Sequence, residues 1–169
     1  MIYCPQCASP LTPGFAGGRE RLVCSAACGY IFWNNPLPVV GAIVEYDNDS
    51  VILIQNRGWP VEWFGLVTGF LEPGEEPDQA VLREIKEEIG LEAEIVERLG
   101  VYTFYQRNEV IITYHVRAWG DIKIDQEELQ DYKLVPIAEL KPWPFGTGPA
   151  VKDWLTKRSE PPGGPAVQT

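Results

Sequence analysis

From residue 39 onward, short apolar runs alternate with charged or turn-forming segments, and the period of each run predicts its element. "VVGAIVEY" (39–46) and "SVILIQNR" (50–57) are nearly continuous β-branched runs parted by "DNDS", the pattern of a hairpin of covered strands. "VEWFGLVTGF" (61–70) reads as a looser extended stretch. Over 77–89 the period changes: Val81, Leu82, Ile85 and Ile89 fall on one arc of a helix. Pro77 suits its first position, Asp78 favours its positive end, and Gly90 supplies a left-handed stop. Two further strands follow, "AEIVERLGVYTFY" and "NEVIITYHVRAW". "DQEELQDYKLVPIAEL" then reads as an acidic turn, a strand and a short helix, and "GPAVKDWLTKR" as a terminal helix. Strands interleaved with a few helices predict an α/β fold, a sandwich built on a mixed sheet.

Residues 1–35 lack this periodicity. All four cysteines lie here, as Cys4-x2-Cys7 and Cys24-x3-Cys28. Two short chelate loops are what a tetrahedral zinc ion needs, so the segment predicts a zinc ribbon. The second pair has three intervening residues where ribbons usually have two. "SPLTPGFAGGRERLVCS" between the pairs supplies turn residues and one short strand, too little to fold without a staple. A closed site of four cysteines leaves no open position for chemistry, so Cys4, Cys7, Cys24 and Cys28 are expected to hold structural Zn²⁺. "NNPLP" (34–38) is expected to link the ribbon to a domain over 36–158, with Pro36 and Pro38 resisting regular structure. "SEPPGGPAVQT" from Ser159 to the end reads as a disordered tail.

Composition changes the picture in one respect. The 169 residues carry a net charge of −10, yet residues 1–35 contribute +1 through Arg19, Arg21 and Glu20, leaving −11 for the remainder. Such an acidic body repels nucleic acid and anionic membrane unless metal ions intervene. Nucleic acid is therefore not the expected partner, while a phosphate-bearing small molecule brought in with divalent cations is compatible. No apolar run approaches the ~20 residues of a membrane span. The N-terminus shows neither a basic nor an apolar signal region, so a cytoplasmic location is expected.

The chemistry concentrates in "REIKEEIG" (83–90). Glu84, Glu87 and Glu88 share one arc of the helix, where like charges at this spacing repel by roughly 0.2–0.5 kcal/mol per pair. Lys86 points almost opposite, and Arg83 lies one turn from Glu87. Hard divalent ions such as Mg²⁺ or Mn²⁺ take oxygen ligands and would relieve that repulsion. In the preceding "GFLEPGEEP", Gly69 and Gly74 let the backbone turn tightly, and Glu75 is placed to pair with Arg83.

Taken together, residues 69–91 read Gly69-x5-Glu75-x7-Arg83-Glu84-Ile85-x-Glu87-Glu88-x-Gly90-Leu91. This resembles the Nudix box at every defined position, and the likeness to Nudix hydrolases extends over about 37–158. The resemblance implies an α/β/α sandwich and hydrolysis of the pyrophosphate in a nucleoside diphosphate joined to a second group, X. It implies Glu84, Glu87 and Glu88 as Mg²⁺ or Mn²⁺ ligands, Glu84 being alternatively the group that orients water, with the carbonyl of Thr68 as a further ligand. Gly69, Glu75, Arg83 and Gly90 become structural parts of the box. A general base from a later loop points to Glu127 or Glu128, with Glu128 the stronger candidate.

A four-cysteine ribbon ahead of "GFLEPGE" resembles the NADH pyrophosphatase branch, which implies a dinucleotide such as NADH, ADP-ribose or FAD as substrate and a homodimer as a common assembly. The branch's SQPW-type motif is missing after the box. "KPWPFGTG" (141–148) reads as an incidental Pro/Trp loop rather than that motif displaced. A nucleotide-sensing regulator without catalysis and a hydrolase of NAD-capped RNA are the alternatives, the first opposed by the complete glutamate set and the second by the charge. Phe70 and Arg57 are the candidate contacts to base and phosphate. Trp63, Phe64, Tyr102, Phe104 and Tyr105 are mainly expected in packing, and the single histidine, His115, in a structural role.

Overall fold

The computed structural model describes residues 2–159. The chain divides after Pro36 into two compact units. The first holds a three-stranded antiparallel sheet of β1 (Leu11–Ala16), β2 (Arg19–Cys24) and β3 (Ile31–Phe32). Sequence reasoning expected one strand here. The difference lies in Gly17 and Gly18, whose positive φ values of 59° and 76° close a two-residue hairpin turn and let Leu11–Ala16 pair back on Arg19–Cys24. Pro13 is tolerated because β1 is an edge strand.

The second unit is built on β4 (Leu37–Tyr46), β5 (Ser50–Asn56), β6 (Val67–Phe70), β7 (Glu92–Phe104), β8 (Glu109–Trp119) and β9 (Leu129–Pro136), with helices α1 (Pro77–Ile89) and α2 (Gly148–Ser159). The strand order is β7-β8-β4-β5-β9, and β6 joins the free half of β4. The β4–β8 pair is parallel over ten residue pairs from Leu37↔Glu109 to Tyr46↔Ala118, and the other pairings are antiparallel, so the sheet is mixed. β4 is central: its first half pairs with β6 and its last residues with β5. Pro38, expected to resist regular structure, enters β4 as its second residue, a position where the missing N–H is least costly.

Burial explains why residues 39–45 are apolar almost without alternation. Val40, Ala42 and Val44 face a core shared with Val81, Ile85 and Ile89 of α1. Ile43, Val51 and Leu53 face the opposite core, shared with Val151 and Trp154 of α2. A strand covered on both faces has no solvent side on which to place polar residues. The result is the α/β/α sandwich. β7, at the sheet edge, alternates exposed Glu92, Glu94, Val96 and Arg98 with half-buried residues, and the exposed charges protect its open side from further pairing.

α1 begins at Pro77 after an extended Glu76 and ends where Gly90, at φ 73°, donates its N–H to the Lys86 carbonyl. Gly90 cannot be exchanged cheaply, because it adopts the left-handed conformation and a Cβ there would meet Lys123 at 3.1 Å. The Ile89 and Glu88 carbonyls at this end accept from the N–H groups of Lys123 and Asp125, both at 2.8–2.9 Å. Of the expected tail, Ser159 is the last residue of α2, and the rest lies outside the described residues.

Candidate active site and zinc site

In the first unit, the four Sγ atoms lie within 4.8 Å of one another, and none forms a disulfide. Cys4 and Cys28 are 3.6 Å apart, and Cys7 and Cys24 3.4 Å. A tetrahedron of thiolates around zinc has edges of about 3.8 Å. The Ser9 hydroxyl, aided by the Ser9 N–H and the neighbouring Cys24 thiol, pulls the Cys7 thiol down to about 6, while, against the pull of the Tyr30 N–H, the neighbouring thiols and burial push Cys28 up to about 12. Soft ligands at this spacing fit zinc.

In the second unit, the segment from Thr68 to Glu88 folds into one device. Arg83 is its hub. Its guanidinium binds Glu75 through two contacts of 2.8 and 3.0 Å, Glu84 at 2.8 Å, Glu87 at 2.8 Å and the Phe70 carbonyl at 3.2 Å. One arginine therefore pins the loop 70–75 to the helix and partly neutralises two of the three box glutamates, where the sequence pointed to Glu75 and Glu87 alone. Gly69 has no room for a side chain: a Cβ would lie 1.8 Å from the Glu84 carboxyl carbon. The glycine in the box is thus set by the approach of β6 to α1 rather than by an unusual φ.

Glu88 is the exception to this pairing. It is 3% exposed, and among the described residues its Oε2 accepts no hydrogen bond. Burial, reinforced by the nearby Glu84, Glu128, Asp125 and Glu87, pushes its carboxyl up to about 9. Glu84 is also raised, by burial against the opposing pull of Arg83. These carboxylates line an open cavity of about 600 Å³ together with Thr68, Gly69, Phe70, Glu128 and Asp125. Asn56, also on its wall, carries a second buried oxygen, Oδ1, that no hydrogen bond from the described residues reaches. Two orphaned oxygens in a basin of carboxylates make a donor set for hard cations, and Mg²⁺ or Mn²⁺ fits it. The glutamates do not converge as tightly as the cysteines, since Arg83 spaces Glu84 and Glu87. That spacing suits ions that keep part of their water shell.

Glu128 lines the cavity and Glu127 does not. Asp125, which sequence reasoning passed over as part of an acidic turn, lines it too. Its loop is tied at both ends: Asp125 N–H to the Glu88 carbonyl at 2.8 Å, and Arg57 N–H to the Glu128 carbonyl at 2.8 Å. Arg57, expected at a phosphate, instead turns its Nε to the Gln126 carbonyl at 2.5 Å and does not line the cavity. A residue following a β5 strand that pairs with β9 is best placed to hold the turn leading into β9. Arg107 and Glu109, not singled out by any motif, also reach the wall.

A second cavity of about 530 Å³ shares Val39, Thr68, Arg107 and Glu109 with the first. Trp59, Trp63, Phe64, Phe104, Trp143 and Phe145 line it. Of the aromatics weighed for stacking, Trp63, Phe64 and Phe104 stand here and Phe70 at the acidic cavity, while Tyr102 and Tyr105 line neither. "KPWPFGTG" is a loop, as expected, but not an incidental one: Trp143, Phe145, Gly146 and Thr147 form part of this wall. His115, on the far face of the sheet, meets Glu45 at 2.6 Å and packs on Trp154.

Among the described residues no helix is long and apolar enough to cross a membrane. The family model of the NUDIX domain matches residues 35–156. The NAD-capped RNA hydrolase NudC of Pseudomonas putida (strain KT2440) is 23% identical over 145 residues, covering 85% of this chain and 51% of its own length. The protein of the same name from Vibrio atlanticus is 26% identical over 147 residues, with 83% and 51% covered. The chain spans about half the length of these curated relatives. Among solved structures, a NUDIX hydrolase from Nitrosomonas europaea superposes with a TM-score of 0.71 at 26% identity, covering 83% of this chain and 80% of that one. The NUDIX domain of Shewanella oneidensis NrtR, solved with ADP ribose, shares the fold at a TM-score of 0.61 and 21% identity, over 73% and 89% of the two chains. With the family model spanning most of the chain and the glycine, arginine and glutamates of its box drawn into one site, this chain belongs to the Nudix family.

Proposed function

We propose that the chain is a divalent-metal-dependent hydrolase that cuts the pyrophosphate linkage of a nucleoside diphosphate joined to a second group, with dinucleotide-type compounds such as NADH, ADP-ribose and FAD as the substrate class. The observation that carries this reading is the unpartnered Oε2 of Glu88 at the floor of a cavity walled by Glu84, Glu87 and Glu128. Glu88, Glu87 and Glu84 would hold the ions with the Thr68 carbonyl. Bound divalent ions supply charge that polarises the phosphoryl oxygens and lowers the pKa of water at the site.

The residues of the chain do the rest. Arg83 keeps the Glu84 and Glu87 carboxylates oriented, so neither must reorganise when substrate arrives. Glu128, on a loop fixed by Arg57 and by the end of α1, is the base that takes the proton from the attacking water. The ribbon cysteines hold zinc as a staple without chemistry.

The relatives named NudC act, by that name, on NAD-capped RNA, which carries the same linkage at an RNA end. The net charge therefore does not decide against nucleic acid, and a capped oligonucleotide belongs in the assay. Purified protein is incubated with NADH, NAD⁺, ADP-ribose, FAD, diadenosine polyphosphates, nucleoside triphosphates and an NAD-capped oligonucleotide, each with Mg²⁺ and with Mn²⁺. Release of a nucleoside monophosphate from one of the dinucleotide-type compounds, abolished by chelation and lowered about a hundredfold in Glu128→Gln, is expected. No metal-dependent turnover of any of them would refute the proposal.

A further inference from the structure

β5 ends on a change of composition. After the apolar Val51, Ile52, Leu53 and Ile54 come three polar residues, Gln55, Asn56 and Arg57. Side chains alternate along a strand, so Gln55 follows the face of Val51 and Leu53, toward α2. Asn56 follows the face of Ile52 and Ile54, toward α1. The pairing with β9 skips Gln130 here, with Gln55 opposite Asp131 and Asn56 opposite Leu129.

Two of the three polar residues have visible tasks. Gln55, 2% exposed, donates its side-chain amide to the Pro60 and Val61 carbonyls at 2.9 and 2.8 Å, which holds the loop after β5. Arg57 donates its Nε to the Gln126 carbonyl and its N–H to the Glu128 carbonyl, which holds the loop before β9. Asn56, between them, has no such task for its Oδ1 among the described residues. A buried acceptor without a donor is costly, and a native fold keeps one where something arrives to use it. Three buried side-chain oxygens share that condition among the described residues: Asn56 Oδ1, Glu88 Oε2 and Thr113 Oγ1. Thr113 lies mid-strand in β8 and lines neither cavity. Asn56 and Glu88 line the same one, from β5 and from α1.

The wall of that cavity limits what can arrive. It carries seven carboxylates against two arginines, Arg83 and Arg107. Arg83 is taken up by Glu75, Glu84, Glu87 and the Phe70 carbonyl. In so negative a basin a lone carbonyl oxygen is best satisfied by a cation, and an amide oxygen suits Mg²⁺ or Mn²⁺. An amide also adds a ligand without adding charge. An eighth carboxylate at position 56 would deepen the repulsion that the cavity already holds.

We propose that Asn56 is a further, neutral ligand of the divalent-ion site, offering its Oδ1 from the sheet as Glu88 offers its carboxylate from the helix. This rests on the metal-dependent hydrolase reading above and adds to it a ligand outside the box. Gln55 and Arg57 fix the chain on either side, so the amide is held in place without a hydrogen bond to Oδ1.

Mn²⁺ binding without substrate, followed by the loss of the free-ion EPR signal, tests the assignment in wild type, Asn56→Leu and Asn56→Asp. Thermal midpoints are taken with and without Mg²⁺. Asn56→Leu is expected to weaken Mn²⁺ binding about tenfold or more and to shrink the Mg²⁺-induced rise in midpoint. Its metal-free midpoint is expected to rise by a few degrees, because an oxygen buried without a partner is gone. Asn56→Asp is expected to reverse both signs, with Mn²⁺ bound at least as tightly as in wild type and a lower metal-free midpoint. Asn56→Ala, which also removes the oxygen, is read in the same way as leucine should that variant fail to fold.

Wild-type Mn²⁺ affinity in Asn56→Leu would overturn the ligand, and turnover by wild type would leave the hydrolase reading standing. A raised KM for ADP-ribose with unchanged Mn²⁺ binding would give the oxygen to the substrate and overturn it too. A lowered metal-free midpoint in Asn56→Leu, with Mn²⁺ affinity that Asn56→Asp fails to restore, would mark a structural residue and overturn the assignment. Weakened Mn²⁺ binding in Asn56→Leu, in a protein that hydrolyses nothing, would uphold the ligand and overturn the hydrolase reading. Absence of Mn²⁺ binding in wild type would overturn both.

Discussion

Two glutamates are almost equally buried on opposite faces of the sheet, and their surroundings differ in kind. Glu45, 5% exposed on β4, is met by His115 at 2.6 Å and by Arg158 of α2 at 3.3 Å. Glu88, 3% exposed on α1, has no cation among the described residues and an oxygen that none of them hydrogen-bonds. A buried carboxylate left charged and unpaired is costly, so the protein either supplies the counter-charge or protonates the group. On the α2 face Arg158 supplies the charge, and the neutral His115 ring adds a hydrogen bond. On the α1 face the protein holds Glu88 with carboxylate neighbours and a raised pKa of about 9, a state that a divalent cation, once bound there, would reverse. The first arrangement stabilises the fold. The second keeps an affinity in reserve.

Four experiments probe that contrast. The cysteine cluster is the extreme of the Glu88 kind, four ligand atoms gathered with little else to support them. Cys4→Ser is expected to release zinc and abolish amide protection over residues 2–36, since structural zinc contributes about 10 kcal/mol or more to such ribbons. Stoichiometric zinc retained in that variant would show the staple to lie elsewhere. Next in size, Glu88→Gln is expected to lower kcat by about a hundredfold or more while leaving the metal-free thermal midpoint within about 2 °C, because the native carboxyl is already neutral there. Saturating Mg²⁺ should raise the midpoint of wild type, by mass action, and not that of the variant.

Glu45→Ala should do the reverse. The buried His115 ring then loses its hydrogen-bond partner, which costs about 2 kcal/mol, roughly 6 °C in midpoint, with kcat held within about twofold. Comparable loss of turnover in both variants would erase the distinction between the two faces. The smallest effect is in pH. Burial lowers the His115 pKa from 6.5, opposed by Glu45, so the neutral ring is the folded form. Stability tied to it is present above 6.5 and lost as pH falls through the lower folded value. The drop in midpoint between pH 7 and about pH 5.5 is expected to be a few degrees smaller in His115→Gln.

What the sequence discloses follows from range. The hairpin of β4 and β5, the limits of α1 and the cysteine pairs are local patterns, written in a dozen residues each, and all are legible. The parallel pairing of β4 with β8 joins residues about seventy positions apart and leaves no periodic mark on either strand. Asp125 and Arg107 were missed for the same reason: each reaches the acidic cavity through long-range pairing. Arg57 was misplaced because a lone arginine after a strand carries no signal of which oxygen it will meet. The loop 141–148 was underestimated because its role depends on Gly146 approaching Phe104, a contact between distant segments. Helical spacing did bring Glu84, Glu87 and Glu88 together, but not the fact that Arg83 serves two of them and leaves the third alone.

The close approach at Gly69 has a consequence for anyone wishing to alter the protein. Positions 69 and 70 are neighbours on one strand, yet they have opposite tolerance. Any side chain at 69 forces the Glu84 carboxylate out of its place, so a variant there is expected to disturb the site whatever its chemistry. Phe70, 53% exposed on the cavity rim, can change without disturbing the packing beneath it. A library randomised at both positions would have nearly all its functional members descend from a single residue at the first and spread widely at the second.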